Sequence, residues 1–77
     1  MAMKYSVADL FKTMEKKQYV DFRVDGDFHL SEQGTVEEIS DEIESLNGNM
    51  DLMGVEELYT DEYDGDGVIY IRARSIY

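Results

Sequence analysis

The residues able to do covalent or metal chemistry are few. His29 is the single histidine and there is no cysteine, so no thiolate or second imidazole can complete a metal site or a Cys–His pair. Ser6, Ser31, Ser40, Ser45 and Ser75 have no other histidine to act as base, and a nucleophilic triad is not expected. His29 itself falls next to Arg23 on the same expected strand face and reads as a surface residue. Carboxylate is what the chain has in quantity: 18 acidic residues against 7 basic ones, a net charge of −11. A pair of carboxylates can work as acid and base, but such a pair needs a cleft. Two helices and about four short strands leave little room for one. The expectation is a protein that is no enzyme, uses no cofactor or metal, and acts by binding.

The acids are unevenly spread. Between Val24 and Ile71 there is no lysine or arginine, and 15 of the 18 acids lie in that window. Glu37, Glu38, Asp41, Glu42 and Glu44 fall opposite an apolar stripe of one helix. Glu37/Asp41 and Glu38/Glu42 are like-charge pairs four residues apart, each costing about 0.2–0.5 kcal/mol. Glu37 and Glu38 gain from the positive end of the helix dipole, whereas Glu44 lies near the negative end. Stability gains nothing from this arrangement, so the charge is read as serving recognition. Solvation of a helix face is the plain alternative, although ordinary solvated faces mix signs.

The segment Glu62-Tyr63-Asp64-Gly65-Asp66-Gly67-Val68-Ile69 resembles the first eight positions of an EF-hand calcium loop, with oxygen ligands at positions 1, 3 and 5 and glycine at 6. Position 1 is Glu62 where aspartate is usual, and position 12 is Ala73 in place of the bidentate glutamate. The segment that follows is β-rich where an EF-hand has a helix. An Asp/Gly hairpin turn is the simpler reading.

The elements that must carry these residues follow from periodicity. Ser6 suits an N-cap with Asp9 at the third helical position, and Val7, Leu10, Phe11 and Met14 make one apolar face, with Lys12 and Lys16 opposite. This helix is expected to end near Lys17. Tyr19 to Asp25 alternates with period two, and Phe28 and Leu30 alternate again. A three-residue loop, Asp25-Gly26-Asp27, sets Val24 against Phe28 and Phe22 against Leu30. Thr35-Val36-Glu37-Glu38 is a capping box that starts a second helix, with Val36, Ile39, Ile43 and Leu46 as its buried stripe. Asn47-Gly48-Asn49 stops it. Met50 to Gly54 reads as an irregular approach or a short strand. Val55 to Tyr63 and Val68 to Ile76 form a second hairpin around a four-residue loop, Asp64 to Gly67, which places Leu58 beside Ala73 and Thr60 beside Ile71. Tyr59, Asp61, Tyr63, Tyr70, Arg72 and Arg74 then share the other face.

The expected fold is α+β: one domain over residues 1–77, helix–hairpin–helix–hairpin (αββαββ), with an antiparallel sheet packed against two helices. The helix starts Ser6-Val7-x-Asp9-Leu10 and Thr35-Val36-x-Glu38-Ile39 are alike enough to raise an αββ duplication. No stretch approaches the roughly 18 apolar residues that span a bilayer, and Met-Ala-Met-Lys-Tyr-Ser lacks the apolar region of a signal peptide. With no cysteine, these features point to the cytoplasm.

Net charge of this size repels nucleic acid and anionic membrane and attracts basic surfaces. Small size, one acidic face and edge tyrosines together are similar to DNA-mimic inhibitors, many of them encoded by bacteriophages. That likeness, one of type and without a shared motif, implies a cytoplasmic inhibitor occupying a basic, nucleic-acid-binding protein, such as an anti-CRISPR, anti-restriction or nuclease inhibitor. The surface expected to do this comprises Glu37, Glu38, Asp41, Glu42 and Glu44 with Tyr59, Asp61, Glu62, Tyr63, Asp64, Asp66 and Tyr70. Two alternatives come from other classes: an antitoxin or immunity module neutralising a basic toxin, which would look much the same in charge, and a calcium- or dimerisation-dependent structural module using the Asp64 to Gly67 loop or an exposed edge strand at Val68 to Ile76.

Overall fold

The computed structural model describes residues 6–63 and 66–75, with side chains described outside 61–66. The elements run α1 (Val7–Thr13), β1 (Tyr19–Asp25), β2 (Leu30–Thr35), α2 (Val36–Ser45), a 3₁₀ turn (Met50–Leu52), β3 (Met53–Tyr63) and β4 (Asp66–Ser75). Two helices and a four-stranded sheet make an α+β domain. The sheet is mixed, not antiparallel throughout. Its order is β2-β1-β4-β3, and β1 runs parallel to β4.

The physical reason lies in where the apolar strands must go. Val20, Phe22 and Val24 of β1 are fully buried, and Ile71 and Ala73 of β4 nearly so. Both strands therefore belong in the sheet interior, side by side. α2 carries the chain from the β2 edge to the opposite edge, where β3 enters; β4 then returns between β3 and β1. The segment from Val68 onward is thus an interior strand and not an edge. A simple duplication fits poorly, because β1 is interior while its counterpart β3 lies at an edge.

Both helices begin at their capping residues. The Asp9 N–H donates to Ser6 Oγ at 3.1 Å. At α2 the box closes in both directions, Glu38 N–H to Thr35 Oγ1 at 3.2 Å and Thr35 N–H to Glu38 Oε1 at 2.9 Å. Two further α2 donors find backbone partners in the loop before β1: Val36 N–H bonds the Gln18 carbonyl and Glu37 N–H the Lys16 carbonyl. This seam explains why α1 stops at Thr13 and not near Lys17. Residues 15–18 are needed as a turn whose carbonyls receive the start of α2, and Met14 is already extended.

α2 ends in a Schellman arrangement. Asn47, at φ 64°, donates to the Glu44 carbonyl, and Gly48 N–H reaches back to Ile43 O at 2.8 Å. Gly48 is required by space: a Cβ there would lie 2.7 Å from Ile43 Cγ2 and 2.8 Å from Phe28 Cζ. Leu46, expected in the buried stripe, is 48% exposed because it sits at the C-cap after the helix has turned away from the core.

Both hairpin registers differ from expectation by two residues. Val24 pairs with Leu30, so the first loop spans five residues, Asp25 to His29. It is closed by His29 Nδ1 to Asp25 Oδ1 at 3.0 Å, and Phe28 leaves the strand to pack against the core. In the second hairpin Tyr63 pairs with Asp66, giving a two-residue loop; Leu58 lies opposite Ile71 and Thr60 opposite Ile69. A shift of two preserves which face each side chain occupies, so the core set survives the error. The irregular stretch before β3 resolves into the 3₁₀ turn, capped by Asn49 Oδ1 accepting from Asp51 N–H at 3.0 Å. β3 then starts at Met53, itself buried. A β-bulge between Val55 and Glu57 lets Glu56 and Glu57 both point outward.

One apolar cluster joins the elements, drawing Val7, Leu10 and Phe11 from α1, Val36, Ile39 and Ile43 from α2, and the inward residues of the sheet. Phe11 and Phe22 meet with ring centroids 5.9 Å apart and planes tilted by 57°. The helices cover one face of the sheet. Among the described residues nothing covers the other face.

Candidate protein-binding surfaces

The two-layer architecture divides the expected surface in two. Glu37, Glu38, Asp41, Glu42 and Glu44 stand on α2, on the helix side. Tyr59 and Tyr70 stand on the open face of the sheet, a full layer away, since their neighbours Ile71 and Ala73 point into the core. One flat partner cannot engage both sets. Asp61, Glu62, Tyr63 and Asp66 lie in the strands beside them, but their side chains fall outside the described residues, as does Asp64 altogether. The calcium-loop resemblance falls partly there too; its last residues, Asp66 to Ile69, belong to β4.

On α2 all five carboxylates are exposed or half-buried, but they do not form one row. At roughly 100° per residue, Glu37, Asp41 and Glu44 project on the α1 side and Glu38 and Glu42 on the β2 side. Glu37 and Asp41 form one rim of a groove of about 350 Å³ between the helices. Lys12 and Lys16 form the other rim, and Ala8, Phe11, Val36 and Met50 line it between them. The lysines were expected on the far side of α1; the short helix and its turn bring them to this groove. Glu38 is partly committed by its capping bond to Thr35. Among the described residues, none of the five carboxylates has a cationic group within 4.0 Å; the ion pairs found are His29–Asp25, Arg72–Glu57 and Arg74–Glu56.

The open sheet face is differently constructed. It carries all three arginines of the chain. Strand register sets them in rows across the sheet. One row runs Gln33, Asp21, Tyr70, Tyr59; the next runs Ser31, Arg23, Arg72, Glu57. In the first, Gln33 Nε2 donates to Asp21 Oδ2 at 3.1 Å, and Tyr59 and Tyr70 stack with centroids 5.0 Å apart and planes 8° from parallel. In the second, Arg23 and Arg72 are direct neighbours, and Arg72 lies 3.7 Å from Glu57. Beyond them Arg74 Nε donates to Glu56 Oε2 at 2.9 Å. A shallow depression of about 290 Å³ opens between the two rows. Arg23, Arg72 and Arg74 were missing from the expected surface. Their alternation with apolar residues was visible in each strand, but only the parallel pairing of β1 with β4 brings Arg23 beside Arg72.

Among the described residues, no cluster of three or more His, Cys, Asp or Glu side chains is arranged to hold a metal ion, and no helix is long and apolar enough to cross a membrane. No known protein family matches the chain, nor does any curated protein or solved structure.

Proposed function

We propose that this protein is an acidic inhibitor that uses the exposed side of α2 to occupy a basic, nucleic-acid-binding surface of a target protein in the cytoplasm, as phage-encoded DNA mimics do. The observation that carries this reading is the contrast between its two faces. On the sheet, Glu56 and Glu57 are each met by an arginine. On α2, five carboxylates stand without a cation within 4.0 Å among the described residues. Carboxylates at this density, without a direct ion pair, raise the helix's own free energy through like-charge pairs four residues apart, and they are available to a cationic partner. Duplex DNA presents about one charge per 1.7 Å of axis, and carboxylates on successive helical turns lie roughly 5–6 Å apart. The two successive-turn sets, Glu37–Asp41–Glu44 and Glu38–Glu42, therefore each approximate a short stretch of a phosphate row. Asp41 stands at the outer crest of this surface, flanked by Glu37 and Glu44 on the α1 side and by Glu38 and Glu42 on the β2 side.

The test is retention of a bacterial nucleic-acid-binding protein from lysate on the immobilised chain, with elution by salt and competition by duplex DNA. The variant Asp41→Lys/Glu42→Lys/Glu44→Lys leaves the capping box intact and should lose retention. Equal retention by the variant, or a partner that neither salt nor DNA displaces, refutes the proposal.

A further inference from the structure

We propose that the open face of the sheet is a self-association surface that pairs with the same face of a second copy of this chain. The charge distribution selects that occupant. A chain of net charge −11 repels its own copies, and α2 is the face least able to approach another copy. The sheet face is the exception, because Arg23, Arg72 and Arg74 there oppose Asp21, Asp25, Glu56 and Glu57. With four carboxylates against three arginines among the residues whose side chains are described, aromatic and rich in matched charges, it is far less acidic than α2 and is where two copies can meet with least repulsion.

The row pattern makes the face self-complementary. A two-fold axis lying in the plane of the sheet, across the strands and between the two rows, exchanges one row for the other. Asp21 then faces the partner's Arg23, and Arg23 the partner's Asp21. Tyr70 faces the partner's Arg72, a cation–π arrangement. Gln33 meets the partner's Ser31, and the 57% exposed Tyr59 becomes covered. This is the isologous pattern that a closed dimer requires. A two-fold along the strands is excluded, because it sets Arg23 against the partner's Arg72. The resulting dimer is a four-layer sandwich with two sheets inside and helices outside, which directs the α2 surfaces of the two copies away from each other.

The face is small. Four strands about 4.8 Å apart and roughly seven residues long cover on the order of 400 Å² in plan on each copy, below the roughly 800 Å² per partner of a standard interface and in the range of weak, transient contacts. Weak association that depends strongly on concentration is expected of an interface this small.

Sedimentation equilibrium of the pure protein tests this without any target, so its result is separate from the fate of the α2 proposal. The wild type should show twice the chain mass at high concentration. Asp21→Arg sets two cations against two cations at the axis, and Arg23→Asp sets two carboxylates against two; each should weaken the dimer at least about tenfold. An equimolar mixture of the two variants should recover association, because one copy then brings both cations and the other both carboxylates. Circular dichroism checks that each variant keeps the wild-type fold, and Tyr70→Ala provides an independent variant expected to weaken association. A wild type that stays monomeric at its highest soluble concentration overturns the proposal. So does a mixture that associates no better than its components, or single variants that dimerise like wild type.

Discussion

Glu42 offers the sharpest test of the idea that the α2 charge is not there for folding. It is half-buried in the last turn of the helix, one turn after Glu38, and no cation lies within 4.0 Å of its carboxylate among the described residues. Replacing it with lysine removes a repulsion of about 0.2–0.5 kcal/mol and installs a Glu–Lys pair in the favourable order, worth a similar amount. The substitution also takes a carboxylate from the negative end of the helix dipole and puts a cation there, each step contributing about 0.3–1 kcal/mol at low salt. Allowing for solvent screening, the net gain is on the order of 1 kcal/mol, or a rise of about 4–8 °C in Tm for a domain of this size. Thermal unfolding by circular dichroism at low salt measures it. The rise should shrink towards 1 M salt, where the Debye length falls to about 3 Å. The same substitution should weaken retention of the target, so stability and binding move in opposite directions. An unchanged or lowered Tm at low salt would mean that Glu42 already has compensation in the fold, and the reasoning that assigns it to recognition would fail.

Two further expectations concern the scaffold that holds α2. Gly48→Ala should destabilise by about 1–2 kcal/mol net, since overpacking against Ile43 and Phe28 outweighs the gain from a stiffer unfolded chain; a denaturant midpoint at or above wild type would contradict the close packing described. Thr35→Ala removes the acceptor for Glu38 N–H and should cost about 1 kcal/mol, whereas Thr35→Ser should largely retain it. Equal loss in both variants, read by urea unfolding, would show that the hydroxyl is not what matters.

Much of this protein was legible in one dimension because the relevant physics is local. Capping boxes act over four residues, so the starts of both helices at Ser6 and Thr35 could be read directly. Strand alternation has a period of two, so the inward set Val20, Phe22, Val24, Ile71 and Ala73 survived hairpin registers that were each wrong by two. The high acid content and its concentration on α2 are likewise properties of the chain as written. Long-range arrangement decided the rest. The parallel pairing of β1 with β4 depends on which strands need a neighbour along both edges, and on where α2 delivers the chain. No local pattern near Arg23 indicates that Arg72 will lie beside it. The division of the expected surface into an acidic helix face and an arginine–tyrosine sheet face has the same cause. Residues far apart in sequence become neighbours, or are set a full layer apart, only when the core closes.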